Sequence, residues 1–124
     1  MVYLGWLFGE TVFGRKELPA VSCEWQPFWT YSAIAGGKHY LIADVVNNVL
    51  MFMPVGFLLG MVLNKKHWWG MLLAGMFISL TIELMQLYLH RGLCETDDII
   101  HNTIGCFIGW MLAFGMKRLK SNYL

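Results

Sequence analysis

Three long apolar stretches follow one another along the chain, separated by short polar links. These stretches are residues 45–63, 68–89 and 99–116. Only the second of them contains a charged residue, Glu83. An α-helix needs about 20 mostly apolar residues to cross the ~30 Å hydrocarbon core of a bilayer. The pattern therefore predicts three transmembrane helices, joined as two helical hairpins through polar links at 64–67 and 90–98.

The first third of the chain has a different pattern. Residues 1–13 are apolar but contain Glu10, and at ~1.5 Å per residue a helix of this length covers only about 20 Å. We therefore expect a short or truncated N-terminal helix that does not span the membrane alone. Residues 14–44 are mixed in polarity and include a group of aromatic residues, Trp25, Phe28, Trp29 and Tyr31. Because aromatic side chains favour the membrane–water interface, we expect a loop that lies on the membrane surface.

The composition supports a membrane protein. The chain has 124 residues, of which 57% are hydrophobic and 14% charged, with a net charge of +1 and a mean hydropathy of +0.52. An ordinary soluble domain carries roughly 25% charged residues, so the composition argues against a soluble enzyme. A nucleic-acid-binding protein needs a basic surplus, and we expect no nucleic-acid partner. The prediction is an all-α membrane helical bundle, with residues 1–124 as a single domain.

The distribution of charge predicts an orientation. The basic residues near the ends of the spans are Lys65, Lys66, Lys117, Arg118 and Lys120. Positive residues in these places mark the cytoplasmic side of a membrane. Six of the eight acidic residues fall in the segments 14–44 and 90–98. We therefore expect a cytoplasmic C-terminus and place both acidic segments on the opposite, outer side.

Polar side chains within the spans converge at this outer end. Asn48 lies near the start of the first full span, and Glu83 and Gln86 lie three residues apart on one face of the second. Asp98 and Asn102, four residues apart, begin the third. Ionisable residues inside a membrane are costly and by default suggest function. The sequence thus predicts a polar pocket in the outer leaflet.

A structural interpretation of the same residues stays open. Asp97 or Asp98 would cap the third span and Asn48 the first, because their side chains accept hydrogen bonds from helix N-termini. Glu83 would be protonated or paired with Arg91. Pro54 is expected to kink the first full span. The repeats Gly56-xxx-Gly60 and Gly105-xxx-Gly109 are typical of closely packed membrane helices.

Histidines and cysteines raise the questions of a metal site and a disulfide. His90 and His101 accompany Glu83, Asp97 and Asp98, and such residues suit zinc. Neither an HExxH nor a CxxC motif is present, so we expect no metal and no cofactor. Cys23 and Cys94 both fall on the predicted outer side, where disulfides persist, which suggests a bridge between them. Cys106 lies inside a span and is expected to be a packed thiol.

Three sequence blocks resemble the VanZ-like family of bacterial membrane proteins. The first is NNVLMFMPVGFLLG at 47–60, the second is IELMQ at 82–86, and the third is RGLCETDDIIHNTIG at 91–105. The segment QPFWTY at 26–31 resembles the Pro-Phe loop of that family. Two features differ from the family pattern. Only a short segment stands in place of a complete first transmembrane helix, and Glu95 stands where aspartate is more common.

The resemblance implies a multi-pass protein of the bacterial plasma membrane, linked to resistance to glycopeptides, teicoplanin in particular. A pocket in the outer leaflet is placed to meet a membrane lipid, a lipid-linked cell-wall component or a lipoglycopeptide. The binding residues would be Asn48, Glu83, Gln86, Arg91, Asp97, Asp98 and Asn102. The structural residues would be Phe52, Pro54, Gly56 and Gly105.

Two other functions remain open at this stage. One is a membrane enzyme that acts on a lipid headgroup, with Glu83 or Asp98 as a general base. The other is a structural subunit of a membrane complex. The sequence leaves open whether any reaction is catalysed and which oligomer forms.

Overall fold

The computed structural model describes residues 2–14, 23–90 and 94–123. Nearly all of its regular structure is helical. The helices are α1 (Val2–Phe8), a π-helical segment (Gly9–Phe13), α2 (Trp29–Ala35), α3 (Leu41–Val62), a 3₁₀ turn (Lys65–His67), α4 (Trp68–Leu89) and α5 (Thr96–Tyr123). Two strands of two residues, β1 (Cys23–Glu24) and β2 (Cys94–Glu95), complete the fold.

Three of these helices are long and apolar enough to cross a membrane. They are α3 and α4, with 22 residues each, and α5, with 28. The prediction of an all-α bundle with three long helices and one short N-terminal helix is confirmed. Many large apolar side chains on the bundle surface are exposed, among them Val62 at 82% and Phe77 at 72%. Such a surface is typical of a protein whose solvent is lipid.

Two helices extend beyond their predicted bounds. Helix α3 begins at Leu41 instead of residue 45 and includes Asp44 in its first turn, where a carboxylate stabilises the helix N-terminus. Helix α5 begins at Thr96 and continues to Tyr123, because its basic C-terminal residues are good helix formers that also suit the end of the helix dipole. Helix α4 has the bounds that the apolar pattern predicts.

Glycines bring α3 and α5 into direct backbone contact. A Cβ atom on Gly56 would overlap the carbonyl oxygen of Cys106, and one on Gly109 would overlap that of Met53. Gly105 faces the Val49 carbonyl in the same way. Without side chains in between, the two helices approach along both predicted small-residue repeats. The repeats therefore serve packing, as expected.

The remaining helices surround this pair. Helix α4 packs against α5 where Gly75 meets Cys106, whose Sγ would lie 3.0 Å from a Cβ at Gly75. Cys106 is a buried free thiol, as predicted. The N-terminal segment contributes two completely buried side chains, Leu7 and Val12, to the core around Phe52. Helix α3 continues through Pro54.

A disulfide and a short parallel ladder join the two segments predicted to share the outer side. Cys23 pairs with Cys94 and Glu24 with Glu95 in the ladder. The same cysteines form a disulfide, with their Cα atoms 4.5 Å apart. The bridge suggested by the sequence is thus present in the fold. It ties the segment before α3 to the connection between α4 and α5.

We expect alkylation to distinguish the three cysteines of the chain. Denatured protein treated with iodoacetamide without reductant is expected to gain one label, at Cys106, because the other two thiols are consumed by the bridge. Prior reduction should raise the count to all three. Peptide mass spectrometry reads the positions, and the reduced sample serves as the control. Labels at Cys23 and Cys94 without reductant would contradict the disulfide.

Candidate functional site

Buried polar side chains form a layer at the end of the bundle where α4 ends and α5 begins. Those with at most 7% of their surface exposed are Thr11, Thr30, Asn48, Ser79, Glu83, Gln86, Asp97, His101 and Asn102. They come from the N-terminal segment, α2, α3, α4 and α5. We call this set, together with Asp98, the polar layer. It contains six of the seven predicted binding residues; the seventh, Arg91, lies outside the described residues.

Asp97 is the most completely buried carboxylate of the polar layer, with no exposed surface. Its Oδ1 accepts a hydrogen bond from the backbone N–H of Phe28 at 2.6 Å, and its Oδ2 accepts one from that of Thr30 at 2.9 Å. These N–H groups belong to the beginning of α2, where Phe28 has a left-handed conformation with φ 63°. Asp97 thus caps the N-terminus of α2 from a distant part of the chain.

Hydrogen bonds between side chains link α5 to both of its neighbours. The Asn48 amide on α3 donates to Asp98 Oδ1 at 2.6 Å. The Asn102 amide donates to Ser79 Oγ on α4 at 2.8 Å. Interhelical hydrogen bonds of this kind contribute on the order of 0.5–2 kcal/mol each in membranes.

Two residues of α4 fasten the segments that flank the bundle. Glu83 Oε2 accepts a hydrogen bond from the backbone N–H of Glu95 at 2.9 Å. The Gln86 amide donates to the carbonyl oxygen of Thr11 at 2.6 Å. Glu83 therefore positions β2, and Gln86 positions the N-terminal segment. A general-base role for Glu83 would compete with this hydrogen bond from the backbone N–H of Glu95.

His101 lies deeper in the same layer. Its Nε2 is 2.9 Å from the hydroxyl of Tyr31, and the two rings meet edge to face. Tyr31 belongs to α2, so α2 is held to α5 by both Asp97 and His101. The sequence named Tyr31 only as an interfacial aromatic residue; its role as a partner of His101 depends on a contact across 70 positions.

One of the capping interpretations is wrong, and another applies to a different helix. Asn48 does not cap the first full span, because α3 begins seven residues earlier, at Leu41. Asp97 is a cap, but for α2 instead of its own helix. Among the described residues, no group of three or more His, Cys, Asp or Glu is placed to hold a metal ion.

A cavity of about 310 Å³ opens beside the polar layer, between the N-terminal segment and α3. Its walls are Trp6, Glu10, Thr11, Asp44, Asn47, Asn48 and Met51. Two of these side chains, Glu10 and Asp44, are carboxylates and are exposed to the space. We call this space the acidic cavity. Of the predicted binding residues, only Asn48 lines it.

Sequence reasoning missed most of the cavity wall. In the sequence, Glu10 only interrupts an apolar segment, and Asp44 ends a segment that is expected to form a loop. A usable signal was present nonetheless. Asp44, Asn47, Asn48 and Met51 follow the spacing of one helix face, which identifies a polar stripe once α3 is known to begin before residue 44.

The sequence of the chain matches the model of a known protein family. A family model described as VanZ/LLP1 matches residues 1–118. The chain belongs to the VanZ/LLP1 family. The match covers the whole polar layer and the acidic cavity, so both belong to the VanZ/LLP1 domain of this chain.

A curated relative agrees with the family assignment. Protein VanZ of Enterococcus faecium is 29% identical over 79 residues, which cover 64% of this chain and 48% of that protein. The chain therefore spans about half the length of this relative. No solved structure matches the chain. The resemblance seen in the sequence blocks is confirmed at the level of the VanZ/LLP1 family.

Proposed function

We propose that this chain is a VanZ-type cell-envelope protein of the bacterial plasma membrane that lowers susceptibility to teicoplanin. Its polar end lies in the outer leaflet and engages a lipid-linked ligand there. The observation that carries the proposal is the family match over residues 1–118. The similarity to Protein VanZ supports it over part of the chain.

The orientation is part of this proposal. Lys117, Arg118 and Lys120 end α5 at the opposite end of the bundle from the polar layer. The Lys117 ammonium donates to the Gly60 carbonyl at 2.8 Å, so the ends of α3 and α5 meet at this basic end. The positive-inside rule places it in the cytoplasm, which puts the polar layer and the disulfide on the outer side.

The arrangement of carboxylates favours a binding function over a hydrolytic one. Glu83 and Asp98, the candidate general bases, both accept hydrogen bonds from groups of the bundle. Within the described residues, the acidic cavity offers no serine or cysteine nucleophile in its wall. These contacts favour ligand binding over catalysis on a lipid headgroup.

Susceptibility of a Gram-positive host that expresses the chain tests the proposed function. We expect the wild type to raise the inhibitory concentration of teicoplanin and to leave that of vancomycin unchanged, because only the former carries a lipid chain. Glu83→Gln and Asp98→Asn keep an oxygen for their hydrogen-bond donors but remove the charge, and they are expected to lose protection.

The matched control is Glu24→Gln, an exposed carboxylate at the same end of the bundle, which should protect like the wild type. All variants must be compared at equal abundance in the membrane. Equal protection by every variant would show that the polar layer is not the site. A wild type indistinguishable from the empty host would refute the proposed function.

A further inference from the structure

An apolar groove lies next to the acidic cavity on α3. The groove has a volume of about 540 Å³ and is lined by Tyr3, Leu50, Met53, Pro54, Phe57, Leu58 and Leu112. The N-terminal segment and α3 contribute to the walls of both spaces, and Leu112 of α5 completes the groove. They adjoin where the Tyr3 hydroxyl donates to the carbonyl oxygen of Met51, a wall residue of the cavity. The Tyr3 ring, which lines the groove, packs 5.4 Å from that of Trp6, which lines the cavity.

The polarity of the two spaces matches an amphiphile. The cavity holds carboxylates and amides at the polar end of the bundle, whereas every residue of the groove wall is apolar or aromatic. Along α3 the wall changes from Asp44, Asn47 and Asn48 to Pro54, Phe57 and Leu58. A headgroup at the first set of residues places an acyl chain along the second, parallel to the lipids of the leaflet.

The charge of the cavity selects the kind of headgroup. Ionised Glu10 and Asp44 side chains can accept hydrogen bonds but cannot donate them. None of the residues that line the cavity is a lysine or an arginine. Asn48 adds a third acceptor. Its side chain is 7% exposed, and its amide nitrogen donates to Asp98, which leaves its amide oxygen for the cavity. Three acceptors in one small space suit a group with several N–H donors and a positive charge.

We propose that this groove binds a membrane lipid whose headgroup carries an ammonium group. The ammonium lies among Glu10, Asp44 and Asn48, and one acyl chain lies in the apolar groove beside Pro54. This inference deepens the proposed function and rests on it for the outer-leaflet placement.

Binding of two matched lipids to the purified protein tests the assignment. The probes are dioleoyl phosphatidylethanolamine and its N-acetyl derivative, which keeps the phosphate and both chains but loses the ammonium. Native mass spectrometry of the protein in detergent measures the bound fraction of each. We expect the wild type to bind the ammonium lipid about tenfold more tightly, the equivalent of one charge-assisted hydrogen bond.

The double variant Glu10→Gln/Asp44→Asn is expected to reduce this preference to about one, since it keeps the shape of the cavity but removes its charge. Glu24→Gln, which removes a carboxylate outside the cavity, should retain the full tenfold preference. A preference that survives in the double variant would overturn the assignment of the headgroup, as would an equal affinity of the wild type for both lipids.

A second pair of variants tests the groove. Leu58→Trp fills it and is expected to weaken both lipids to a similar degree. Leu84→Trp places the same side chain on the exposed face of α4, where Leu84 is 53% exposed compared with 55% for Leu58, and should leave binding unchanged. If the lipids bound equally well to both tryptophan variants, the placement of the acyl chain in the groove would be overturned.

The same preparation separates this inference from the proposed function. Teicoplanin that displaces the ammonium lipid only in proteins with the intact cavity would support the shared site. Teicoplanin that binds the cavity when the lipid does not would identify the antibiotic as the occupant and overturn the lipid assignment. A lipid preference in a chain that gives no protection to cells would refute the resistance function and retain the groove.

Discussion

Replacing Gly105 with alanine is expected to destabilise the bundle by about 3 kcal/mol or more. The added methyl group would overlap the backbone carbonyl of Val49, and a backbone atom cannot rotate away as a flexible side chain can. The helices α3 and α5 must therefore separate, which also weakens the nearby contacts of Gly56 and Gly109. Overpacking of a close interface typically costs about 1–3 kcal/mol, and more where no relaxation is possible.

The same helix offers a matched control for this substitution. Gly115 has no atom within 4 Å of the position that a Cβ would take. Gly115→Ala is expected to be neutral or to stabilise α5 by up to about 1 kcal/mol, because alanine favours helices over glycine. Reversible unfolding in mixed micelles measures both free energies of unfolding. Equal effects of the two substitutions would show that α3 and α5 do not pack as described.

Replacing Asp97 with alanine is expected to cost about 4 kcal/mol and to release α2 from the bundle. The substitution removes two charge-assisted hydrogen bonds, each worth about 1.5–3 kcal/mol, and leaves the N–H groups of Phe28 and Thr30 without their acceptor. Asp97→Asn keeps one acceptor oxygen and should cost roughly half as much. The graded series distinguishes a lost cap from a lost side-chain volume.

Hydrogen exchange locates the effect. We expect the amides at Trp29–Ala35 to lose protection in Asp97→Ala, whereas those of α4 keep theirs. Glu24→Gln serves as the control because Glu24 is exposed, and surface substitutions usually change stability by less than about 0.5 kcal/mol. Unchanged exchange in α2 of the Asp97→Ala variant would contradict the role of Asp97 as its cap.

The helical skeleton of this protein follows from local chemistry. The bounds of α4 match the apolar stretch 68–89, because the polar link before it and the left-handed conformation of His90 after it are both local signals. Helix α3 begins earlier than its apolar stretch, because Asp44 fits a first helical turn as well as a loop. The charge of Asp44 alone does not distinguish the first turn of a helix from a loop.

The details of the polar end depend on contacts between distant residues. Asp97 and Thr30 lie 67 positions apart, and Gln86 and Thr11 lie 75 apart. A carboxylate at the start of a helix suggests a cap for that helix, and nothing local indicates that it caps another one. The acidic cavity is similar. Glu10 joins it only because the N-terminal segment packs beside α3, which the apolar pattern does not specify.

The polar layer and the wall of the acidic cavity share only a few residues, because their side chains have different surroundings. Glu83, Asp97 and Asn102 are buried and bonded to other parts of the chain, so they organise the bundle. Glu10 and Asp44 border open space. The polar residues at this end of the bundle thus divide into those that are bonded within the fold and those that border the cavity.

The position of the disulfide also bears on the order of events during membrane insertion. Cys23 precedes α3 and Cys94 follows α4, with a separation of 71 residues. The ladder brings the cysteines together on one side of the bundle. In the orientation proposed above, the bond can therefore close only after α3 and α4 have crossed the bilayer and returned. Residues 23–94 then form a covalent ring that holds the α3–α4 hairpin, and α5 emerges from it as a tail. In that orientation, a chain whose disulfide has closed is a chain whose hairpin has completed its insertion.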